Sequence, residues 1–437
     1  MNKTLSILLF LIYFVQTSAQ TTSLNDLLVF AHANSPTIKN ASIDVEIAKQ
    51  KIKEYTSAGL PKINGSLNFQ NYINIPTTVI PASALGMAGD DLIDVNFGTD
   101  YNSNLAIQVD QLIFSARYIY GIRAANAYAS LTELIQKQTM ANFNEKISAL
   151  YYSVLLISKN ASLAEKGKAQ MQNIYDYTKK LVDGGFIESS QLDEVNLMLL
   201  QTTNVVNELK MNEELSLIQL KSNVGYPLDS LLNIVDDFSS ALGSSETSLS
   251  SFNVNQTLSF MLASQNTVLS ELDLKVVKSE GYPSISGFFS HQEMAMRKEF
   301  SFFDNSYPWY PATVWGLRVD IPIFNSGEGQ SKRTQKELNL LKSQNELLQI
   351  ETQISALLMQ LENNLKVAKM SLDNANKSLA LAEKVLQNEI IKFKAGTNSV
   401  LDVSQAQNQV VAAQQELLSK EFNVIKSQLA INKITNK

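Results

Sequence analysis

The segment Gly59-Leu60-Pro61-Lys62-Ile63-Asn64-Gly65 returns in altered form as Gly281-Tyr282-Pro283-Ser284-Ile285-Ser286-Gly287. Two further features recur in the same order: residues 109–114 resemble residues 319–324, and Gly185 is matched by Gly396. Ordered recurrence of this kind is the sequence signature of a duplicated structural unit. The chain is therefore predicted to contain two halves built on one plan.

Each half is predicted to contain a pair of strands after its Gly-x-Pro segment. Helices are predicted before it, from Leu24 to about Ala58 and from Val254 to about Glu280. Proline cannot continue a helix and biases the residue before it toward extended geometry, so each helix should end there. The predicted strands, which alternate apolar and polar residues, are about 62–72, 102–113, 284–294 and 313–323. The predicted helix–strand junctions are marked by Pro61, Pro283 and Pro322. A lipid-facing barrel wall and a soluble sheet with one solvated face both give this alternation, so the pattern alone leaves both open.

Long segments without proline follow each strand pair. The predicted long helices are about 116–181 and 188–225 in the first half, and about 329–394 and 399–434 in the second. Apolar residues between Leu361 and Leu386 step by four and three, which predicts antiparallel helices supercoiled about each other. An ordinary coiled coil would have the same periodicity.

The N-terminal segment has the features of an export signal. Lys3 precedes an apolar run from Leu5 to Val15, and Ala19 ends a short series of small residues. This pattern is typical of a cleaved signal peptide, and the run is too short for a membrane anchor. The predicted organisation is a signal peptide at 1–19, a first repeat at 20–225, a linker at 226–251 and a second repeat at 252–437.

The composition argues against several classes of function. The chain has no cysteine, which excludes disulfides, thiol catalysis and a lipidated N-terminal cysteine. A net charge of −6 argues against a nucleic-acid-binding face. His32 and His291 lack ligand spacing, and no phosphate loop or Ser/His/Asp set is recognisable. No enzyme activity, cofactor or metal is expected.

The two hairpin tips differ. Residues 73–101 are expected to form a surface loop, whereas residues 300–312 are rich in aromatic side chains. Trp309, Tyr310 and Trp315 are predicted to lie at a membrane interface, where aromatic residues concentrate. A loop folded on its own aromatic cluster is the alternative.

Two hairpins supply four strands, whereas a closed barrel needs about eight or more. Open edges are not tolerated in lipid, so the chain is expected to oligomerise if it enters a membrane. Three copies would supply about twelve strands, although the strand count does not fix that number.

The segment from Phe393 to Val403, together with Ala406, resembles the tip motif of the TolC family of outer-membrane efflux proteins. The resemblance implies a mixed α and transmembrane β fold: a homotrimer with a twelve-stranded β-barrel and a periplasmic α-helical barrel. It also implies a duct in the Gram-negative outer membrane that contacts lipid and has no activity or cofactor of its own. The absence of cysteine predicts that this duct is not lipidated. The implied partners are a periplasmic adaptor protein and an inner-membrane pump of the RND or ABC type, which deliver small molecules or proteins.

The same resemblance suggests which residues line the periplasmic entrance. The positions that match the family's gate are Asp402, Gln405, Gln191, Asn398 and Phe393. Four of them lack the hydroxyl or charge that relatives use, so Asp402 alone is expected to supply the charge of the entrance ring. The simpler interpretation is that Asp402 stabilises the start of a helix.

Adaptor docking is expected at the helix turns. The residues concerned are Gly184, Gly185, Gly396 and Thr397. A glycine there also serves as an ordinary helix cap, and the two roles are compatible. The competing function is an exported coiled-coil structural or adhesive protein without a pore, which explains the heptads but not the two hairpins. No cluster of Met or His identifies the transported substrate.

Overall fold

The computed structural model describes residues 21–89, 91–236 and 252–435. The expected signal peptide at 1–19 lies outside the described residues, as does the part of the expected linker from residue 237 to 251. The chain divides into two compact units. The helical unit comprises the described parts of Met1–Val45, Thr132–Ser264 and Glu346–Lys437, and the sheet unit comprises those of Glu46–Leu131 and Gln265–Asn345.

Helices account for most of the described residues. They are α1 Leu24–Asn34, α2 Pro36–Ser57, α3 Ala116–Asp183, α4 Ser189–Val224, α5 Leu258–Ser279, α6 Glu328–Lys394 and α7 Val400–Thr435. The long ones, α3 and α6, contain 68 and 67 residues. The heptad positions Leu361, Ala375 and Leu386 are buried, which is the packing that the spacing predicts.

The first helical segment is broken where one helix was expected. The sequence predicted a single helix from Leu24 to about Ala58, but α1 ends at Asn34 and α2 begins at Pro36. Proline is well suited to the first turn of a helix, because its missing N–H would have no helical partner there. The prediction of one helix was therefore wrong, because it overlooked a proline that starts a second helix.

The main sheet has four antiparallel strands in the order β2–β5–β7–β8. The strands are β2 Lys62–Asn71, β5 Tyr101–Ser115, β7 Ser284–Arg297 and β8 Tyr310–Asp320. The last strand begins and ends three residues earlier than the predicted 313–323. Pro322 therefore lies after the strand and not inside it. Residues paired across antiparallel strands lie on the same face, so the register defines the two faces.

One face of this sheet is predominantly apolar and the other carries most of the polar side chains. The apolar face carries exposed large side chains: Ile63, Leu67, Leu105, Ile107, Phe289, Trp315, Leu317 and Val319. The opposite face carries amides and charged groups: Asn64, Asn68, Gln108, Asp110, Gln292, Arg318 and Asp320. Within the described residues, β2 and β8 each have only one hydrogen-bonded neighbour, so both edges of the sheet are open.

The remaining strands are short. β3 Thr77–Pro81 and β4 Leu92–Asn96 form a second hairpin, joined through a 3-10 helix at Ala82–Leu85. The expected surface loop at 73–101 thus contains regular structure. In the helical unit, β1 Thr21–Thr22 pairs in parallel with β6 Asn233–Ile234, which lies in the segment predicted to be a linker.

A buried polar contact fastens this strand pair to the helices. The Tyr151 hydroxyl donates to Asp236 Oδ2 at 2.8 Å and the Leu24 N–H donates to the same oxygen at 2.9 Å. Tyr151 is fully buried in a cluster with Leu27 and Ile147. Burial first, and then the bond to Asp236, raise the pKa of Tyr151 above its usual range.

Candidate functional site

The two helix turns that the sequence singled out have the same backbone geometry. After α3, the Phe186 N–H donates to Leu181 O and the Gly185 N–H donates to Val182 O, both at 2.9 Å. After α6, the Thr397 N–H donates to Lys392 O and the Gly396 N–H to Phe393 O, both at 3.0 Å. This pair of bonds is the Schellman motif, which requires a left-handed residue.

Gly185 and Gly396 supply that left-handed residue, each with a φ of 74°. A Cβ at either position would meet no atom within 4 Å, so glycine is required by the backbone and not by crowding. Both turns therefore present open backbone, and next to the first of them the Phe186 ring is 78 % exposed. An exposed aromatic ring beside open backbone is a surface suited to contact with another protein.

Asp402 lies in the first turn of α7 and caps it. The Ser399 hydroxyl donates to Asp402 Oδ2 at 2.8 Å, the Ser399 N–H donates to the same oxygen at 3.0 Å, and the Asp402 N–H returns a bond to Ser399 Oγ at 3.4 Å. This is a capping box. The hydrogen bond from the Ser399 side chain, followed by that from its backbone, lowers the pKa of Asp402, so the carboxylate is charged at neutral pH.

Asn398 and Phe393 are used inside the chain. The Asn398 amide donates to Glu389 Oε2, and the Lys392 ammonium donates to the other oxygen of Glu389 at 2.7 Å. The Phe393 ring is buried and meets the Tyr177 ring edge-on at 5.8 Å. The Asn398 contact holds the second turn against α6, and the Phe393 contact packs the end of α6 against α3.

The two glutamines lie differently. Gln405 is exposed one turn after Asp402 on α7, so the two side chains share a helix face. Gln191 is partly buried near the start of α4, where its N–H donates to Glu188 O at 3.2 Å. Of the five predicted entrance residues, the structure brings Asp402 and Gln405 together on one exposed face, whereas it packs Phe393 in the core.

Three residues that determine how the second turn is built were not predicted from the sequence: Ser399, Glu389 and Tyr177. Ser399 and Asp402 have the spacing of a capping box, a local pattern that could have identified their contact. Glu389 and Tyr177 left no such signal, because their contacts depend on the packing of separate segments.

Of the predicted interface aromatics, Trp309 and Tyr310 lie at the tip of the β7–β8 hairpin, whereas Trp315 lies midway along β8. Trp309 is partly buried and its ring lies 6.2 Å from that of Phe302. Phe302 in turn packs edge-on against Phe69 at 5.5 Å, so the loop does form an aromatic cluster of its own. Tyr310 and Trp315 are 54 % and 76 % exposed, so both side chains are accessible to solvent or lipid.

The first helix–strand junction is tightly packed around Gly59. A Cβ on Gly59 would lie 2.2 Å from the Tyr118 hydroxyl, which donates to Thr56 O at 3.0 Å. The Gln111 amide also donates to Gly59 O at 2.7 Å. At the second junction a Cβ on Gly281 would approach nothing closer than Lys278 O at 3.7 Å. The repeated glycine is thus needed for space at the first junction only.

The described residues contain neither a metal-binding cluster nor a helix suited to span a membrane. They contain no group of three or more His, Asp or Glu side chains placed to hold a metal ion. None of the helices in the described ranges has the length and hydropathy to span a membrane.

Comparisons with known proteins give one consistent family. Residues 245–437 match the model of the family described as outer membrane efflux protein. A 122-residue segment is 26 % identical to the outer membrane efflux protein BepC of Brucella suis biovar 1 (strain 1330), covering 28 % of this chain and 27 % of that protein. The match therefore spans little more than a quarter of the curated relative.

Solved structures match over nearly the whole chain. The outer membrane protein VceC of Vibrio cholerae has a TM-score of 0.72 at 13 % identity, covering 94 % of this chain and 95 % of that one. The CmeC outer membrane channel of Campylobacter jejuni has a TM-score of 0.73 at 16 % identity, with coverage of 94 % and 85 %. At these identities the likeness establishes the fold.

The resemblance drawn from the tip motif is confirmed by these matches, and so is the mixed helical and sheet fold at the level of the single chain. Residues 245–437 match the family model of outer membrane efflux proteins, and the chain as a whole has the fold of the outer-membrane channels it matches.

Proposed function

We propose that the protein is the outer-membrane exit duct of a tripartite efflux pump or type I secretion system in a Gram-negative bacterium. Three copies would close their sheets into one twelve-stranded barrel, and their long helices would line a tunnel. The duct would pass small molecules, such as toxic compounds, or proteins that an inner-membrane pump delivers. Neither export class is favoured by a feature of the described residues.

The observation that carries this proposal is the four-stranded sheet with two open edges and one exposed apolar face. Unpaired strand edges and a broad apolar surface are both unfavourable in water. Closure with further copies pairs the edges, and lipid around the closed barrel covers the apolar face. A soluble adhesive rod would not require a sheet with open edges and an exposed apolar face.

A second stripe of exposed apolar side chains supports association of the helices. On α6 the stripe comprises Leu338, Leu341, Leu348, Met359, Val367, Met370 and Leu381, each more than half exposed. It is distinct from the heptad positions that are buried within the chain. Helices of neighbouring copies would cover it.

The working end is proposed to be the pair of Schellman turns and the start of α7. Gly184, Gly185, Gly396 and Thr397 would meet the tips of a periplasmic adaptor, because the backbone at Gly185 and Gly396 is open to close approach. Three copies of Asp402, each with an exposed and ionised carboxylate, would form a ring at the entrance. Gln405 would contribute amides one turn further along α7, where charge is absent. Closure would then depend on packing and amide hydrogen bonds.

The experiment is conductance in a planar bilayer with the purified, detergent-extracted chain. The proposal predicts discrete channels that are selective for cations and blocked by multivalent cations from the entrance side. Asp402→Ala should weaken both selectivity and block, whereas Gln405→Ala should leave both nearly unchanged. A chain that purifies as a soluble rod and never conducts would support the adhesive alternative. Selectivity and block that survive Asp402→Ala would rule out the ring.

A further inference from the structure

Two ionisable side chains interrupt the apolar face of the sheet. His291 and Glu293 alternate along β7 with Gln292, which lies on the polar face. Across β5 they pair with Ile107 and Leu105, both exposed apolar residues. His291 and Glu293 therefore lie directly beside apolar side chains of the neighbouring strand.

The two groups are close enough to act together. His291 Nε2 lies 3.6 Å from Glu293 Oε1, and their side chains are 41 % and 33 % exposed. On the other side of the imidazole, His291 Nδ1 lies 2.7 Å from Thr313 Oγ1, a hydroxyl that can donate or accept. Thr313 can thus hold the ring in place in either protonation state.

The strand residues paired directly with His291 and Glu293 carry no charge. The residues of β8 that pair with His291 and Glu293 are Thr313 and Pro311, which do not titrate, and neither do those of β5. Along β7 the next charged residue on this face is Arg297, four positions beyond Glu293. A proton that the pair gains or loses is therefore compensated by no adjacent group.

An ionisable side chain on the lipid face of a barrel is costly when it carries net charge. Together His291 and Glu293 carry no net charge only when they hold one proton between them: imidazolium with carboxylate, or imidazole with carboxylic acid. The two forms differ by transfer of that proton between Nε2 and Oε1. In both forms Nδ1 keeps its hydrogen and donates it to Thr313.

We propose that His291 and Glu293 form one proton-binding site, which holds a single shared proton while the sheet lies in lipid. The inference rests on the proposed function, in which the apolar face contacts lipid. It makes insertion of the sheet proton-linked: the chain takes up a proton on insertion at high pH and releases one at low pH.

The test is folding of the full chain from urea into neutral phosphatidylcholine vesicles between pH 3.5 and 8.5. That range brackets the usual pKa values of free glutamate and histidine side chains, about 4.3 and about 6.5. For the wild type we expect a plateau of insertion between these values and a fall on either side, approaching roughly tenfold per pH unit for one linked proton.

The single variants should respond in opposite directions. In Glu293→Gln the remaining imidazole must be neutral to enter lipid, so insertion of this variant should fall as pH decreases. In His291→Asn the remaining carboxylate must gain a proton to enter lipid, so insertion of this variant should fall as pH increases. The double variant should be insensitive to pH. Adding Gln292→Glu to the double variant places a carboxyl group on the water-facing side of the same strand. This addition should not restore the pH dependence of insertion.

A separate readout distinguishes failure of this inference from failure of the proposed function. The chain has two tryptophans, so Trp309→Phe leaves Trp315 as the reporter on the apolar face. Quenching of Trp315 by brominated lipid would establish the lipid face. If Trp315 is quenched and both single variants behave like the double variant, the shared proton is refuted while the duct stands. If Trp315 is not quenched, the lipid face itself is wrong, and both proposals fail.

Discussion

Ser399 and Asp402 cap each other at the start of α7, and both bonds from Ser399 end on a single carboxylate oxygen of Asp402. The side chain of Asp402 nevertheless remains exposed. The two interpretations of this aspartate, helix cap and ring charge, are therefore compatible. One oxygen can stabilise the turn while the charge of the group acts on the proposed entrance.

The cap at Asp402 should be pH-dependent. Hydrogen bonds from Ser399 lower the pKa of Asp402 in the folded chain, so the folded state favours the ionised form. The stabilisation is therefore present above the usual aspartate pKa, about 3.9, and is lost as pH falls below it. Amide exchange in the first turn of α7, corrected for intrinsic rates, should accelerate below about pH 4. Asp402→Asn should remove this pH dependence, and an unchanged profile in that variant would contradict the assignment.

Alanine substitutions at the two matching junction glycines, Gly59 and Gly281, should differ in their effect on stability, because only Gly59 lacks space for a side chain. In Gly59→Ala the new methyl group displaces the Tyr118 ring and breaks the bond from its hydroxyl to Thr56 O. A loss of about 1 kcal/mol or more is expected, measured by thermal unfolding in detergent. Gly281→Ala is the matched control and should change stability by less than about 0.5 kcal/mol. Equal effects at both glycines would show that the Tyr118 contact is unimportant.

The left-handed glycines at the turns should tolerate asparagine better than alanine. Gly185→Ala and Gly396→Ala would each cost about 1–2 kcal/mol, because an alanine side chain disfavours a φ of 74°. Asparagine visits this conformation more readily, so Gly396→Asn should cost less. Amide exchange at the two turns measures the difference. Alanine that performs as well as asparagine would mean that the turns have another conformation in solution.

The buried Tyr151 should limit stability at alkaline pH. Its pKa is raised in the folded state, so its contribution is complete below the usual tyrosine pKa, about 10, and declines as pH rises above it. Tyr151→Phe removes the bond to Asp236 and should cost about 1–3 kcal/mol at neutral pH. The difference between the wild type and this variant should shrink between pH 9 and 11.5 in chemical unfolding. A constant difference over that range would refute the proposed cause.

Local patterns account for the parts of the fold that were predictable. The heptad around Leu361 and Leu386 and the alternation along β5 are periodic signals, and each reflects burial of one face of a single element. The start of α2 at Pro36 could also have been foreseen, since proline is favoured at the first helical position. The β3–β4 hairpin has weaker periodicity, because its strands have only five residues each.

The candidate site was less predictable because its contacts join distant segments. Phe393 meets Tyr177 across more than 200 residues of sequence, and nothing near either residue specifies the other. The pairing of His291 with Thr313 likewise follows from the register of β7 and β8. Periodicity could place His291 and Glu293 on one strand face, but only the sheet shows that this face is otherwise apolar.

The proposed duct requires the open edges β2 and β8 to pair between copies, and disulfide cross-linking can detect that pairing. The chain has no cysteine, so introduced pairs report without background. Within one chain the two edges are separated by β5 and β7, a span of about 14 Å that a disulfide cannot bridge. Cysteine at Ser66 should be combined in turn with cysteine at Gly316, Leu317 and Arg318. If the edges pair between three copies, oxidation should give a product that migrates as a closed trimer and reverts to single chains on reduction. Chains that stay uncross-linked in the membrane, or that form an open-ended ladder without a trimer band, would contradict it.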